Sequence, residues 1–250
     1  MDTKVVAIIP ARNEERFIGS VILMAHMIAK SVVVIDDGSN DHTRDISEAA
    51  KAMTISHAYN MGKGAALNTG FKIARELGAE VAVTMDADGQ HLPDEMETLL
   101  EPIVQGEADV VIGSRYLGDW KSIPWHRVVG HTIFNFVTNR LSGTRITDTQ
   151  SGFRAFSKNA IEVMCFSSAG FSVESEIQFI AKRERLRILE VPITARYLDR
   201  PKRSALAHGL MVANGMVRLT REYRPILYYA ISSILLLLTL IAALFSLWPV

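Results

Sequence analysis

The stretch Val81-Ala-Val-Thr-Met-Asp-Ala-Asp-Gly-Gln-His91 constrains the fold of this chain more than any other. Val81 to Met85 is a short apolar run of the length and character of a buried strand. It delivers two carboxylates, Asp86 and Asp88, to the point where strand gives way to loop. Ligands of open α/β sheets bind at the carboxyl ends of the strands, so chemistry is expected here. Two acids one residue apart, followed by the amide of Gln90, form a hard-oxygen cluster suited to Mg²⁺ or Mn²⁺ bridging phosphates. An acidic surface turn would carry the same Asp-x-Asp, and the rest of the sequence has to decide between them.

The flanking sequence alternates strand and helix patterns. Lys4–Ile9 predicts a first strand, closed by Pro10, which has no N–H to give a ladder. Asn13, in Pro10-Ala-Arg-Asn-Glu-Glu15, is placed to cap a helix whose Phe17, Ile18, Val21 and Ile22 recur at helical spacing. Ser31–Ile35 predicts a second buried strand that also ends in acids, Asp36-Asp37-Gly-Ser39, with a helix from about Asn40–Thr43. Met53–Ala58 predicts a third. Asn60-Met-Gly-Lys-Gly64 then leads into a helix from Ala65 to about Leu77. Glycines flanking Lys63 at a helix start have the look of a phosphate loop, although the Gly-x-x-x-x-Gly-Lys-Ser/Thr pattern is absent. Pro93 suits the first turn of a helix to about Val104, and Asp109–Gly113 predicts a strand ending at Ser114-Arg115-Tyr116. Such alternation over residues 4–113 implies a mostly parallel sheet with helices on both faces.

The pattern then changes. Pro124–Leu141 is helix-like, with Trp125, Val128, Val129, Ile133, Phe134 and Phe136, and fits a core helix and a membrane-surface helix equally. Thr147–Arg154 reads as a polar loop. Phe171-Ser-Val-Glu-Ser-Glu176 opens a helix to about Arg183, Arg187–Ile193 is a last strand, and Ala205–Tyr223 is an amphipathic helix. Glu174 and Glu176 are placed either to bind ligand hydroxyls or to pair with nearby arginines.

Charge separates the two ends. From Lys182 on, 11 Lys+Arg face 4 Asp+Glu, a +7 region in a 250-residue chain of zero net charge. A basic region beside an apolar tail favours anionic lipid or phosphate over nucleic acid. Residues 225–250 contain no charge, and Ile226–Trp248 is long enough to cross about 30 Å of hydrocarbon. Arg218, Arg221 and Arg224 precede it, which predicts a single span with the preceding domain cytoplasmic. The N-terminus runs into the first strand without a signal-peptide pattern. Cys165 is the only cysteine, which excludes an intrachain disulfide and fits a reducing compartment.

Taken together, Ile9-Pro-Ala-Arg-Asn-Glu-Glu15, Asp36-Asp37-Gly-Ser39, Gly62-Lys-Gly64, Asp86-Ala-Asp-Gly-Gln-His91, Gly113-Ser-Arg-Tyr116, Asp148-Thr-Gln-Ser-Gly-Phe-Arg154 and Glu190-Val-Pro-Ile193 resemble family 2 glycosyltransferases, in the polyprenyl (dolichyl) phosphate hexosyltransferase branch. The resemblance covers residues 4–204. It implies a GT-A fold, Rossmann-like with a mostly parallel sheet, over residues 1–204. The amphipathic juxtamembrane helix would occupy 205–224 and the transmembrane helix 225–250.

The resemblance also implies roles. Pro10, Ala11, Arg12, Glu14, Asp37, Lys63, Asp86 and Ala87 would bind the nucleotide, with Glu14 on the ribose and Asp37 on the base. Asp86, Asp88 and Gln90 would hold Mg²⁺ or Mn²⁺. Arg115, Ser151, Lys202 and Arg203 would meet the acceptor phosphate, and Asp88, Arg115, Ser151, Arg154 and Arg203 would carry catalysis. Partners would be a nucleotide sugar, polyprenyl phosphate and membrane lipid, without nucleic acid, and the membrane helix is compatible with a homo-oligomer.

The implied reaction is inverting hexose transfer to the lipid phosphate. Thr149-Gln150 stands where mannosyl members commonly have Pro-Met, which favours UDP-glucose or UDP-GlcNAc over GDP-mannose. A transferase of the same family with a non-lipid acceptor is the nearer alternative. A sugar nucleotidyltransferase would carry a glycine-rich signature after the first strand, and Pro10-Ala-Arg-Asn-Glu is not one. A membrane-anchored subunit that binds a nucleotide sugar without turnover is a third.

Overall fold

The computed structural model describes residues 3–118, 123, 125–168, 173–194 and 205–233. One seven-stranded sheet is built from β1 (Val5–Ala11), β2 (Ser31–Asp36), β3 (Met53–Ser56), β4 (Val81–Thr84), β5 (Val110–Ser114), β6 (Arg154–Ser157) and β7 (Ile188–Pro192). The strand order is β3-β2-β1-β4-β6-β5-β7. β6 runs antiparallel to β4 and β5, and every other pair is parallel.

Successive side chains of a strand point to opposite faces, and each face here has its own core. On one, Ala7 and Ile9 of β1 and Val83 of β4 pack with Ile18 and Ile22 of α1 (Ile18–Ala25) and Leu99 of α4 (Met96–Val104). On the other, Val6, Ile8 and Ala82 pack with Phe71 of α3 (Lys63–Glu76), Ile161 of α6 (Lys158–Val163) and Ile177 of α7 (Val173–Arg183). Burying each large apolar side chain stabilises the fold by about 1.5–3 kcal/mol. The α3 helix lies so close to β1 that a Cβ on Gly70 would overlap Ile8 Cγ2.

Helices on both faces of a mostly parallel sheet agree with the alternating pattern. Three features differ from it. Arg154–Ser157 and Lys158–Val163, at the end of and just beyond the expected polar loop, form a strand and a short helix. β6 has four residues and begins with a buried arginine, so no apolar run marks it. Asn13 is no helix cap: α1 begins at Ile18, and Asn13, with φ 53°, instead accepts from Asn40 N–H at 2.9 Å. That bond ties the loop after β1 to the loop before α2 (Thr43–Ala49).

The helix α5 (Trp125–Ser142) has one packed face and one exposed apolar face. Phe134, Val137 and Leu141 pack on Phe179 of α7 and on Met216 and Leu219 of α8 (Ala205–Tyr223). Val129, Ile133 and Phe136 face outward, the last two 58% and 70% exposed. Residues 225–233 continue as helix. Among the described residues no helix is long and apolar enough to cross a membrane, and most of the expected span lies outside them, as do Arg200, Lys202 and Arg203.

Candidate active site

The parallel strands β1, β2, β4 and β5 all end at one edge of the sheet. β6, running the other way, begins there, with Arg154 beside Thr84. This reversal brings the loop before β6 to the acids after β4. Gly152 O accepts from Thr84 Oγ1 at 2.9 Å and fixes the approach.

Asp86, just past β4, is held from several sides. Lys63 Nζ, at the first position of α3, lies 2.5 Å from Asp86 Oδ1 and 2.6 Å from Oε1 of Glu174, in the first turn of α7. His91 Nε2 is 3.7 Å from Asp86 Oδ2. Burial works to raise the Asp86 carboxyl, but the Lys63 ammonium and His91 overcome it and hold the group well below the ordinary carboxylate range. The same carboxylates raise Lys63 above its ordinary value despite its burial. Glu174 Oε2 is buried without a hydrogen-bond partner. A cavity of about 10 Å³, room for one water, lies between Lys63, Asp86, Gly152, Arg154 and Glu174.

Asp88 follows on the same loop. Gln90 donates to it twice, from the backbone N to Oδ1 at 3.0 Å and from Nε2 to Oδ2 at 2.7 Å. Burial and then the charge of Asp86 push the Asp88 carboxyl above its ordinary value. Asp88, buried beside the charged Asp86, is a carboxylate that a divalent cation would favour in its ionised form, so these residues fit Mg²⁺ or Mn²⁺. Among the described residues no three His, Cys, Asp or Glu side chains gather into a ligand set. An ion here would complete its shell from substrate phosphate and water. Gln90, expected as a ligand, instead turns its amide N–H to Asp88 and orients it.

The loops after β1, β2 and β3 are joined to one another by hydrogen bonds. Ser39 Oγ accepts from Asn13 N–H at 2.9 Å, and Thr43 Oγ1 from Glu14 N–H at 2.8 Å. Pro10 and Ala11 end β1 beneath this seam, and Arg12 is exposed above it. Asp37 accepts from Met61 N–H and Gly62 N–H at 2.8 and 2.7 Å, and from His57 Nδ1 at 2.8 Å. It thereby closes the loop that leads to Lys63. Ala87, between Asp86 and Asp88 in the chain, is buried.

Arg115, after β5, forms a two-pronged pair with the fully buried Asp148: Nε to Oδ2 at 2.7 Å and Nη2 to Oδ1 at 2.8 Å. Burial raises Asp148, and the Arg115 guanidinium outweighs it, leaving the carboxyl below its ordinary value. Glu190 of β7 accepts from Thr147 N–H at 2.9 Å and Asp148 N–H at 3.1 Å, pinning this loop.

Two expectations are corrected here. Arg154 has no exposed surface and spends its guanidinium on the carbonyls of Thr149, Ser151 and Glu174, at 2.8–2.9 Å. It braces the loop and does not open to a phosphate, and burial lowers it to about 10. Ser151 is fully buried as well, with Oγ 3.4 Å from the Phe153 N–H it accepts. Glu176 caps the loop before α7 by accepting from Ser167 N–H and Ser168 N–H, at 2.8 and 2.9 Å, and from Tyr223 OH at 3.0 Å. Only Glu174 of the two faces the site. In the sequence Gly152 and His91 stand out only as motif members, and nothing local marks Gly152 as the neighbour of Asp86.

The sequence model described as Glycosyl transferase family 2 matches residues 6–164. The UDP-N-acetylglucosamine–dolichyl-phosphate N-acetylglucosaminyltransferase of Methanococcus voltae is 38% identical, over 79% of this chain and 88% of the relative. The undecaprenyl-phosphate mannosyltransferase of Micrococcus luteus is 31% identical, over 87% and 93%. Among solved structures, glucosyl-3-phosphoglycerate synthase from Mycobacterium tuberculosis, in complex with Mn²⁺, UDP and glucosyl-3-phosphoglycerate, superposes with a TM-score of 0.68. The match covers 89% of this chain and 80% of that one at 21% identity, which speaks to the fold alone.

Proposed function

The chain belongs to glycosyl transferase family 2 and is a glycosyltransferase, and we propose that it moves a hexose from a nucleotide sugar to a polyprenyl phosphate at a membrane. UDP-GlcNAc or UDP-glucose is the preferred donor. The observation that carries this reading is the Asp86–Asp88 pair at the carboxyl edge of the sheet, with Lys63 against it. The 38% identical relative named for UDP-GlcNAc and dolichyl phosphate supports both substrates. The mannosyltransferase relative supports a second reading with GDP-mannose, against which Thr149-Gln150 stands.

In this mechanism Asp86 and Asp88 would hold the divalent ion, and Gln90 fixes Asp88 through the two hydrogen bonds it donates. When bound, the ion offsets the charge that develops on the departing nucleoside diphosphate. Pro10, Ala11, Arg12, Glu14, Asp37 and Ala87 form the nucleoside pocket. A polyprenyl phosphate is already anionic and attacks the anomeric carbon without a strong general base. The chain's task is to bring two anions together in line. Arg115, oriented by Asp148, serves the acceptor phosphate with Lys202 and Arg203 through charge-assisted hydrogen bonds. The outward stripe of α5 and the apolar segment 226–248 hold the domain to the bilayer, on the cytoplasmic side.

A donor screen tests the function. Membranes containing the protein receive each labelled nucleotide sugar with polyprenyl phosphate and Mn²⁺, and label in the organic phase is counted. UDP-GlcNAc or UDP-glucose should give the highest count. Label from GDP-mannose alone would favour the second reading, and no lipid-phase label from any donor would exclude a lipid acceptor.

A further inference from the structure

Lys63 stands where a phosphate-loop lysine would, yet its ammonium is turned to two carboxylates of the protein. We propose that Lys63 is a positioning residue, acting on the donor site through Asp86 and tethered by Glu174, rather than a ligand of the donor's phosphates. This rests on the transferase reading above.

Two carboxylates meet at its Nζ, and each is held from another side. The distances of 2.5 Å to Asp86 and 2.6 Å to Glu174 join three elements distant in sequence: the start of α3, the end of β4 and the start of α7. Glu174 is fixed at its other end, where its carbonyl accepts from the buried Arg154 Nη1 at 2.9 Å. Asp86 is also confined by Gly152, where an added Cβ would stand 2.6 Å from Oδ2 and 2.8 Å from Oδ1. Asp86 therefore has one orientation, set between Lys63 and Gly152, and Lys63 has one because Glu174 is fastened to the loop beneath. Lys63 is also the only cation paired directly with the Glu174 carboxylate in the described residues, and the other oxygen of that carboxylate is buried without a hydrogen-bond partner. Moving Lys63 to a substrate phosphate would strand a buried charge, which is strongly unfavourable.

The two roles differ in what Glu174 should do. A lysine that grips phosphate is freed by Glu174→Gln, so donor binding should hold or improve. A positioning lysine loses its tether, and Asp86 loses its orientation. The test uses the full chain in detergent, with Lys63→Met, Glu174→Gln and the double variant. The readouts are kcat, donor KM, thermal unfolding and metal-free affinity for UDP against uridine.

Positioning predicts that each single substitution lowers kcat by about a hundredfold, as a misplacement near 1 Å does. The preference for UDP over uridine should stay within about twofold, and the double variant should be no slower than Lys63→Met, since the two act as one unit. An unchanged kcat in Glu174→Gln, effects that multiply in the double variant, or a tenfold loss of the UDP-over-uridine preference in Lys63→Met would each overturn it. If Lys63→Met does not fold, kcat and UDP affinity of Glu174→Gln decide alone. A wild-type protein inactive with every donor would overturn the transferase reading and this inference together. An active wild type with uncoupled variants would overturn this inference only.

Discussion

Gly152 lies against Asp86 so closely that a Cβ added to the glycine would stand 2.6 Å from the carboxylate Oδ2. The contact joins the loop before β6 to the end of β4, and it makes the smallest residue in that loop a determinant of the site. Gly152→Ala should push Asp86 off Lys63 and lower kcat/KM for the donor by about a hundredfold, with a cooperative unfolding transition retained. An alanine variant with wild-type kcat/KM would mean that Asp86 tolerates displacement.

Asp148 and Arg115 give a pH dependence whose sign is fixed by the pair. The folded Asp148 carboxyl lies below its unfolded value of 3.8. The pair therefore stabilises the fold above that pH, and the contribution is lost as pH falls through the folded value. Asp148→Asn should cost roughly 3 kcal/mol at neutral pH, about 6–12 °C in Tm. The gap between variant and wild type should narrow in acid. Thermal unfolding at neutral pH and below pH 3.8 checks it, and a gap that widened in acid would contradict the pairing.

Much of the sheet was legible because its strands are buried on both faces and read as apolar runs: Ala7–Ile9, Val32–Ile35 and Val81–Val83 are all buried. The acids at the ends of β2 and β4 were legible too, directly after such runs, although Asp37 spends its carboxylate on closing the loop that leads to Lys63. What escaped were relationships made by tertiary packing. β6 is four residues beginning with Arg154, whose charge argues for a surface loop until three carbonyls are seen to take its donors. The reach of Lys63 across to Glu174 depends on α3 and α7 sharing one face of the sheet, which no local pattern encodes. Asn13 looked like a helix cap because it sits just before an amphipathic run, and the intervening turn let it bond the neighbouring loop.

The outward face of α5 makes a separate prediction. Ile133 and Phe136 expose apolar surface beside a packed inner face. Seating the two in a bilayer interface would contribute about 3 kcal/mol. Ile133→Ser with Phe136→Ser should slow transfer several-fold in vesicles and leave the rate in detergent unchanged. Equal losses in both media would assign the stripe to folding.

The segment 226–248 should anchor the protein. After carbonate washing of membranes, the full chain should remain in the pellet, and a chain ending at Arg224 should be released in larger part. Quantitative release of the full chain would contradict the span.

The most direct measurement is transfer of label from UDP-GlcNAc to dolichyl phosphate with Mn²⁺, comparing wild type, Asp88→Ala and wild type in EDTA. A carboxylate that helps hold a cation against the leaving diphosphate is worth several kcal/mol of transition-state stabilisation. The wild type should therefore produce organic-phase label in proportion to added dolichyl phosphate. Asp88→Ala should fall by about a thousandfold while its unfolding transition persists, and EDTA should abolish the signal reversibly. Undiminished transfer by Asp88→Ala, or in EDTA, would contradict the account.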